Sequence, residues 1–279
     1  MLLQVDNISK FYKQNGETFQ AVDSIQFEVK KGEFVSLLGP SGCGKSTVLK
    51  IIAGLEKASS GTIQIQGKPI LGPVKEQMMV FQEAALFPWM TVMENVSFGL
   101  KAAGKLNLKE IEEKALYYLA MVHMSKFVDH YPHQLSGGMK QRASIARALA
   151  MDPEILLMDE PFSALDEQTR LLLHAELEDI LIKTNKSIIF VTHNIREAVT
   201  LSDRILVFST RPGRIKSEFN IQASRPRMMT NELVDIEFRI MEVLREEIEK
   251  VMKHEVDDAY EFKSRVLSTN DTHSMGSGI

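Results

Sequence analysis

Gly39-Pro40-Ser41-Gly42-Cys43-Gly44-Lys45-Ser46 has the spacing G-x-x-x-x-G-K-S, with an apolar run before it and a helical stretch after it. Residues of these types in this order suit a chain of phosphates. Glycines let the backbone wrap closely, successive N–H groups and a helix N-terminus attract negative charge, and Lys45 can reach the terminal phosphates. Ser46 is placed to ligate Mg2+, and Thr47 completes the phosphate-binding set. The bland alternative is a Gly-rich turn with a solvated lysine, and the flanking strand and helix weigh against it.

Further along, Ile155-Leu156-Leu157-Met158 ends in Asp159-Glu160. A buried-type strand that delivers two carboxylates at its end suits a cation. Asp159 would hold Mg2+ through water, and Glu160, projecting differently, could orient and deprotonate an attacking water; a solvated acidic loop is the alternative. Leu135-Ser136-Gly137-Gly138-Met139-Lys140-Gln141-Arg142 opens another helix whose terminus is bare of side chains. Ser136, Gly137 and Gly138 could accept phosphate there, or Ser136 could be a simple N-cap. Two phosphate-type helix termini with one lysine-bearing loop suggest that the second serves another subunit's nucleotide.

These residues need a scaffold that gathers strand ends. From Val5 to Phe81, short runs (Ile25 to Val29, Phe34 to Leu38, Thr62 to Ile65, Met78 to Phe81) alternate with glycine-containing turns and one helix, expected from Ser46 to Leu55. Between Thr91 and His130 strand signals vanish, while Leu108, Ile111, Ala115, Leu116 and Leu119 recur at helical spacing. That predicts an inserted helical subdomain over about 91–150. After Asp152-Pro153, strands at 155–158, 187–192 and 205–208 alternate with helices, the first at 168–182, as in a mainly parallel sheet covered by helices. Arg211-Pro212-Gly213-Arg214 reads as a turn into a last strand. Beyond Pro226, Leu233, Ile236, Ile240, Val243, Leu244, Ile248 and Val251 share one helical face, which predicts an amphipathic appendage within 223–267. The polar stretch 268–279 is expected to lack order.

At 279 residues, 44% of them hydrophobic, the chain can bury a large core. Lys+Arg (33) and Asp+Glu (37) leave a formal charge of -4, which argues against nucleic acid as the main partner. No apolar run approaches the roughly 18 residues of a spanning helix, and Asp6 interrupts the amino terminus before a secretory signal can form. The expectation is a cytoplasmic chain that meets a membrane through a partner. A single cysteine, Cys43, excludes an intrachain disulfide and a cysteine-built zinc site.

The phosphate loop, the Leu-Ser-Gly-Gly-Met run and the Met-Asp-Glu-Pro run come in the order found in ATP-binding cassette (ABC) ATPases, and the chain resembles that family over about residues 2–222. The resemblance implies an α/β fold: a P-loop NTPase nucleotide-binding domain with a RecA-like core, an antiparallel β subdomain and the inserted helical subdomain. It implies ATP and Mg2+ as cofactors, and a homodimer or paired ATPase subunits sandwiching two ATPs head to tail. By position, Tyr12 resembles the aromatic that stacks on adenine. Gln82 resembles the glutamine that contacts Mg2+ and water, Ser163 to Asp166 the loop coupling the two sites, and His193 the switch histidine that senses the γ-phosphate. Asn194 stands where many relatives carry Asp.

Leu86 to Val92, Glu160 to Asp166 and the Arg211 to Arg214 turn resemble the nitrate, sulfonate and taurine importer group. That implies transmembrane permease subunits, an extracytoplasmic solute-binding protein met indirectly, and a peripheral place on the cytoplasmic face of a bacterial inner membrane. The alternative, a non-transport cassette ATPase on DNA or ribosomes, would usually carry a long coiled-coil insertion or a second cassette, and neither is seen. Two expectations concern single side chains. Cys43 should be open to thiol reagents and protected by ATP. Phe87, Pro88, Trp89 and Met90 should line a groove for a permease helix, unless Trp89 packs beneath the helical subdomain.

Overall fold

Residues 1–14, 16–227 and 229–255 are described by the structure, a computed structural model. β1 (Leu3–Gln14), β2 (Glu17–Val29), β4 (Ser60–Ile65) and β5 (Lys68–Pro69) form an antiparallel sheet in the order β2-β1-β4-β5. β3 (Phe34–Leu38), β6 (Gln77–Val80), β7 (Ile155–Asp159), β8 (Ser187–Thr192), β9 (Arg204–Phe208) and β10 (Ile215–Asn220) form a second sheet, ordered β10-β9-β3-β8-β7-β6. Every pair in it is parallel except β10 on β9.

The apolar strands of the second sheet are apolar because both of its faces are covered. Side chains alternate between faces along a strand. Leu156, Met158, Ile188 and Phe190 enter the core under the helical subdomain, whereas Ile155, Leu157, Ile189 and Val191 enter the core beneath the antiparallel sheet. All eight are fully buried, and each contributes on the order of 1.5–3 kcal/mol. β3, β7 and β8 are thereby held rigidly, with their carboxyl ends on one edge.

α1 (Lys45–Ile52) follows β3 directly and stops three residues short of Leu55. Gly54 takes φ +70° there, and a Cβ on it would lie 2.2 Å from the Gly72 carbonyl carbon, so the chain must leave the helix. The helical subdomain holds α2 (Val92–Ala103), α3 (Leu108–Met121) and α4 (Gly137–Ala150). Thr91 with Glu94, and Asn107 with Glu110, form reciprocal capping boxes that start α2 and α3. In α3 the buried stripe is Ile111, Ala115, Tyr118 and Leu119; Leu108 and Leu116, expected on it, are exposed. Leu108 is the first helical residue, too near the end to reach the core.

α5 (Glu167–Thr184) and α6 (Ile195–Leu201) follow β7 and β8, and α7 (Asn231–Glu255) closes the described chain. Leu233, Ile240 and Leu244 of α7 pack with Ala198, Val199, Ile205 and Val207. Ile248, expected on that face, is exposed, because the buried stripe follows 233, 240, 244 and 247. The Val251 side chain and the expected polar tail lie outside the described residues. None of the described helices is long and apolar enough to cross a membrane.

Glu247 fastens α7 to the second sheet. Its carboxylate, 1% exposed, accepts hydrogen bonds from the Thr210 N–H at 2.8 Å, the Thr210 hydroxyl at 2.9 Å, Lys216 at 2.9 Å and Lys250 at 2.8 Å. Burial pushes this carboxyl up, but the donors from Lys250, Thr210 and Lys216 outweigh it and hold it at about 2, against an ordinary 4.5. A depressed carboxyl contributes stability above its unfolded value and loses it as pH falls through the folded one. The stability of the fold is therefore expected to decline in part through this group between pH 4.5 and about 2. Glu247→Ala, which strands the two Thr210 donors and leaves Lys216 to Glu246 and the Val243 carbonyl, should cost about 2 kcal/mol. Glu247→Gln should flatten the acid limb; urea unfolding of the three proteins as a function of pH measures both effects.

Candidate functional site

The β3 strand ends at Leu38, and the chain turns through Gly39 to Gly44 into α1. Gly44 sits at the N-cap with φ +97°, and a Cβ there would lie 2.5 Å from the Val22 side chain and 3.0 Å from the Ala21 carbonyl oxygen. Only glycine fits both the conformation and the space. The loop is braced from the β9–β10 turn as well: a Cβ on Gly213 would come within 2.0 Å of the Cys43 carbonyl oxygen, and the Gly213 N–H donates to Ala21 at 3.0 Å. Hence Arg211 to Arg214, read above as a turn, serves as the loop's outer wall.

Lys45 is 4% exposed, and its Nζ donates to the Gly39 and Pro40 carbonyls at 2.8 Å each. A solvated lysine would do neither; this one lies curled within the turn. Ser46 Oγ donates to Asp159 Oδ1 at 2.8 Å. Burial pushes the Asp159 carboxyl up, the Ser46 hydroxyl pulls it down, and the Glu160 charge raises it. A carboxylate so desolvated gains from a nearby cation. One hydroxyl and one such carboxylate suit Mg2+, which keeps water and phosphate oxygens among its ligands.

Tyr12 is half-exposed on β1, with the Lys10 Nζ 5.0 Å above its ring. Burial, then a hydrogen bond to Glu56, raises its phenol, opposed by one involving Thr47. The ring thus stands beside the first turn of α1. Cys43 differs from expectation: its thiol is 1% exposed in the core beneath the antiparallel sheet, and burial pushes its pKa up. Its backbone belongs to the loop, but its sulfur does not face solvent.

Glu160 lies just past β7 with φ +45°, a left-handed conformation uncommon for a side chain of this size. Its N–H donates to Val191 at 3.0 Å, and its Oε2 lies 3.0 Å from His193 Nδ1. The two residues that sequence reasoning cast as base and sensor therefore touch. Asn194, which stands in place of Asp, accepts from the Glu197 N–H at 3.1 Å and caps α6. The loop keeps its helix start despite the replacement.

A ring of polar contacts joins these loops. Ser163 Oγ donates to the Glu160 carbonyl at 2.9 Å. Arg170 on α5 donates to the Leu165 carbonyl at 2.9 Å and to Glu167 at 3.0 Å, and its Nε stands 3.6 Å from Glu197. Glu197 in turn accepts from the Thr192 hydroxyl at 2.5 Å, and the Asn194 N–H donates to that hydroxyl at 3.0 Å. Sequence reading missed Arg170 and Glu197. Their only signal was position, four residues beyond Asp166 and His193 respectively, one helical turn on.

Gln82 is exposed on the loop after β6, a loop hung from α4. Gln141 donates to the Phe81 carbonyl at 3.3 Å, and Arg147 donates to Ala84 and Ala85 at 3.1 and 2.8 Å. Ser136 caps α4 by accepting from the Met139 N–H at 3.3 Å. Gly137 and Gly138 leave room for α5 and the loop before it: a Cβ on Gly138 would meet Thr169 at 2.7 Å, and one on Gly137 would meet Leu165 at 3.3 Å. Among the described residues no hydrogen bond joins Ser136, Gly137 or Gly138 to the Lys45 loop, whereas Ser46 with Asp159 and Glu160 with His193 are in direct contact.

The ABC transporter family pattern matches residues 22–163. An uncharacterised ABC transporter ATP-binding protein of Methanocaldococcus jannaschii is 47% identical over 90% of this chain and 94% of its own length. The aliphatic sulfonates import ATP-binding protein SsuB of Bacillus cereus is 44% identical over 83% of this chain and 91% of its own. The nitrate import ATP-binding protein NrtD of Synechocystis is 46% identical, covering 79% and 83%. Among solved structures, the dimeric post-hydrolysis state of an ATP-binding cassette bound to ADP and Pi superposes with a TM-score of 0.71 at 34% identity, over 80% of this chain and all of that one. With these likenesses and a phosphate loop, paired acids and histidine on one strand edge, the chain belongs to the ABC transporter ATPase family.

Proposed function

We propose that this ATPase is the motor subunit of an importer, with a small solute of the nitrate or sulfonate kind as cargo. It would act on the cytoplasmic face of a bacterial inner membrane, bound to permease subunits, and meet a solute-binding protein only through them. The relatives named for sulfonate and nitrate import, similar over most of the chain, support cargo and direction. The cassette would span about residues 2–222, with α7 as an appendage.

The contact between Glu160 and His193 carries the hydrolytic reading. ATP would bind with adenine on Tyr12 and its phosphates wrapped by the backbone of Gly39 to Gly44, while Lys45 exchanges its two carbonyl partners for phosphate oxygens. Ser46, Asp159 and Gln82 would hold Mg2+, which neutralises phosphate charge. Glu160 takes the proton of the attacking water and His193 fixes both Glu160 and the γ-phosphate. Ser136, Gly137 and Gly138 of a second copy would close over that phosphate, consistent with a dimer of the kind seen in the related cassette.

Glu160→Gln keeps the hydrogen bond to His193 and loses the base. It is expected to slow hydrolysis by on the order of 10² or more while leaving ATP affinity near wild type, and to trap an ATP-bound dimer on size-exclusion chromatography. Wild-type turnover from a monomeric variant would refute the assignment.

Arg170→Ala opens the ring between the Leu165 and His193 loops without touching nucleotide. We expect kcat to fall about tenfold with KM within about twofold, since roughly 1.4 kcal/mol of positioning is lost only in the reacting state. Steady-state kinetics give the split; a raised KM with kcat unchanged would mean that Arg170 supports binding instead.

Trp89 is 69% exposed, and its ring centre stands 5.6 Å from Phe87, which in turn packs on Phe98 at 4.7 Å. Asn95, fully buried, holds this segment by accepting from the Phe87 N–H and donating to the Phe87, Met90 and Thr91 carbonyls. An aromatic presented so firmly to solvent supports the permease groove over packing beneath the subdomain. Trp89→Ala should change folding stability by no more than about 0.5 kcal/mol, leave the isolated ATPase unchanged, and reduce co-purification with the permease. Normal assembly of the variant would remove Trp89 from that interface.

A further inference from the structure

α7 carries two apolar stripes, and the first shows how the second would be met. On the docked side Leu233, Ile240 and Leu244 enter the core with α6 and β9, and the acids flanking them are matched: Glu246 pairs with Lys216 at 2.5 Å, and Glu247 with Lys216 and Lys250. On the outer side Val234, Phe238, Met241 and Ile248 are 51, 57, 38 and 43% exposed. With Arg245, also exposed, their numbers step by four, three, four and three, the seam of a heptad repeat.

Asp235, Glu242 and Glu249 each follow a seam residue by one position and are exposed. They occupy the flanking position that sets partner charge in such a seam. None of the three forms an ion pair among the described residues. A knob-bearing stripe with an acidic rim calls for apolar knobs with a basic rim. We propose that the outer seam of α7 docks an amphipathic helix of a partner protein whose apolar stripe is flanked by Lys or Arg.

Other occupants fit the charge less well. A second copy would set acid against acid in either direction, with flank 235, 242 and 249 facing its own kind when antiparallel and Glu237 when parallel. Residues 256–279 hold four acids, Asp257, Asp258, Glu261 and Asp271, against Lys263 and Arg265. An anionic bilayer is repelled by the same rim.

The proposal stands apart from the hydrolytic site and is tested by binding. Two synthetic helical peptides with leucine at every seam position are compared on the full chain by fluorescence anisotropy, one flanked by Lys and one by Glu. The Lys peptide is expected to bind, about tenfold more weakly at high salt and about tenfold more weakly to Phe238→Ser/Met241→Ser, whose exposed positions leave ATPase activity unchanged. Asp235→Lys/Glu242→Lys/Glu249→Lys should invert the preference toward the Glu peptide. The proposal falls if neither peptide binds, if both bind alike, or if binding survives the seam substitutions. It falls equally if the wild type, but not Phe238→Ser/Met241→Ser, dimerises without nucleotide, if binding needs residues 256–279 removed, or if anionic vesicles capture the chain through this seam.

Discussion

Parallel pairing of β3 with β8, and of β8 with β7, sets Leu38 beside Thr192 and Asp159 beside Val191. Three loops with unrelated sequences therefore leave the sheet at one level: the phosphate turn, the pair of acids and the histidine. Parallel strands cannot be joined by tight hairpins, so each connection passes over a face, and the sheet is buried on both sides. That double burial makes the strand ends stiff enough for side chains 33 residues apart, Glu160 and His193, to meet at 3.0 Å. Ligand sites outside the carboxyl ends of such sheets are a general result of this geometry.

Much of this was legible in the residues. Ile155 to Met158 and Ser187 to Thr192 are apolar throughout because both faces are covered, and the glycines with Lys45 mark the turn between β3 and α1. Local pattern was weaker where an end or a second face mattered. Leu108 and Leu116 keep helical spacing yet stand exposed, and Ile248, which shares the apolar periodicity of α7 with Leu233, Ile240 and Leu244, lies on the outer side of the helix. Periodicity tells that a residue lies on a stripe, not which of two stripes is covered. In the site, motifs in the sequence pick out the phosphate turn, Asp159, Glu160 and His193, which the fold brings to one edge of the sheet. They could not locate Arg170, Glu197, Asn95 or Arg147, whose partners are backbone carbonyls or side chains brought near only by the fold.

Three of those supporting residues share one arrangement. Each donates from a helix to loop backbone: Arg147 from α4 into the turn after β6, Asn95 from α2 into the segment that leads into that helix, Arg170 from α5 into the Leu165 loop before it. Loop backbones without regular pairing leave carbonyls that need donors, and here the helices supply them. The helical subdomain and the sheet are consequently linked through the loop that carries Gln82, to which a shift of α4 is transmitted by Arg147 and Gln141.

Cys43 shows a different consequence of burial. A thiol between Gly42 and Gly44, with an ammonium 3.7 Å from its sulfur, would in an open loop become a thiolate and the first target of peroxide, linking energy conversion to oxidative stress. Here the backbone serves the loop while the sulfur points into the core beneath the antiparallel sheet, where burial keeps it protonated. Sulfenic acid formation needs an accessible thiolate, and neither condition is met. The loop is thus insulated from oxidants by the fold itself.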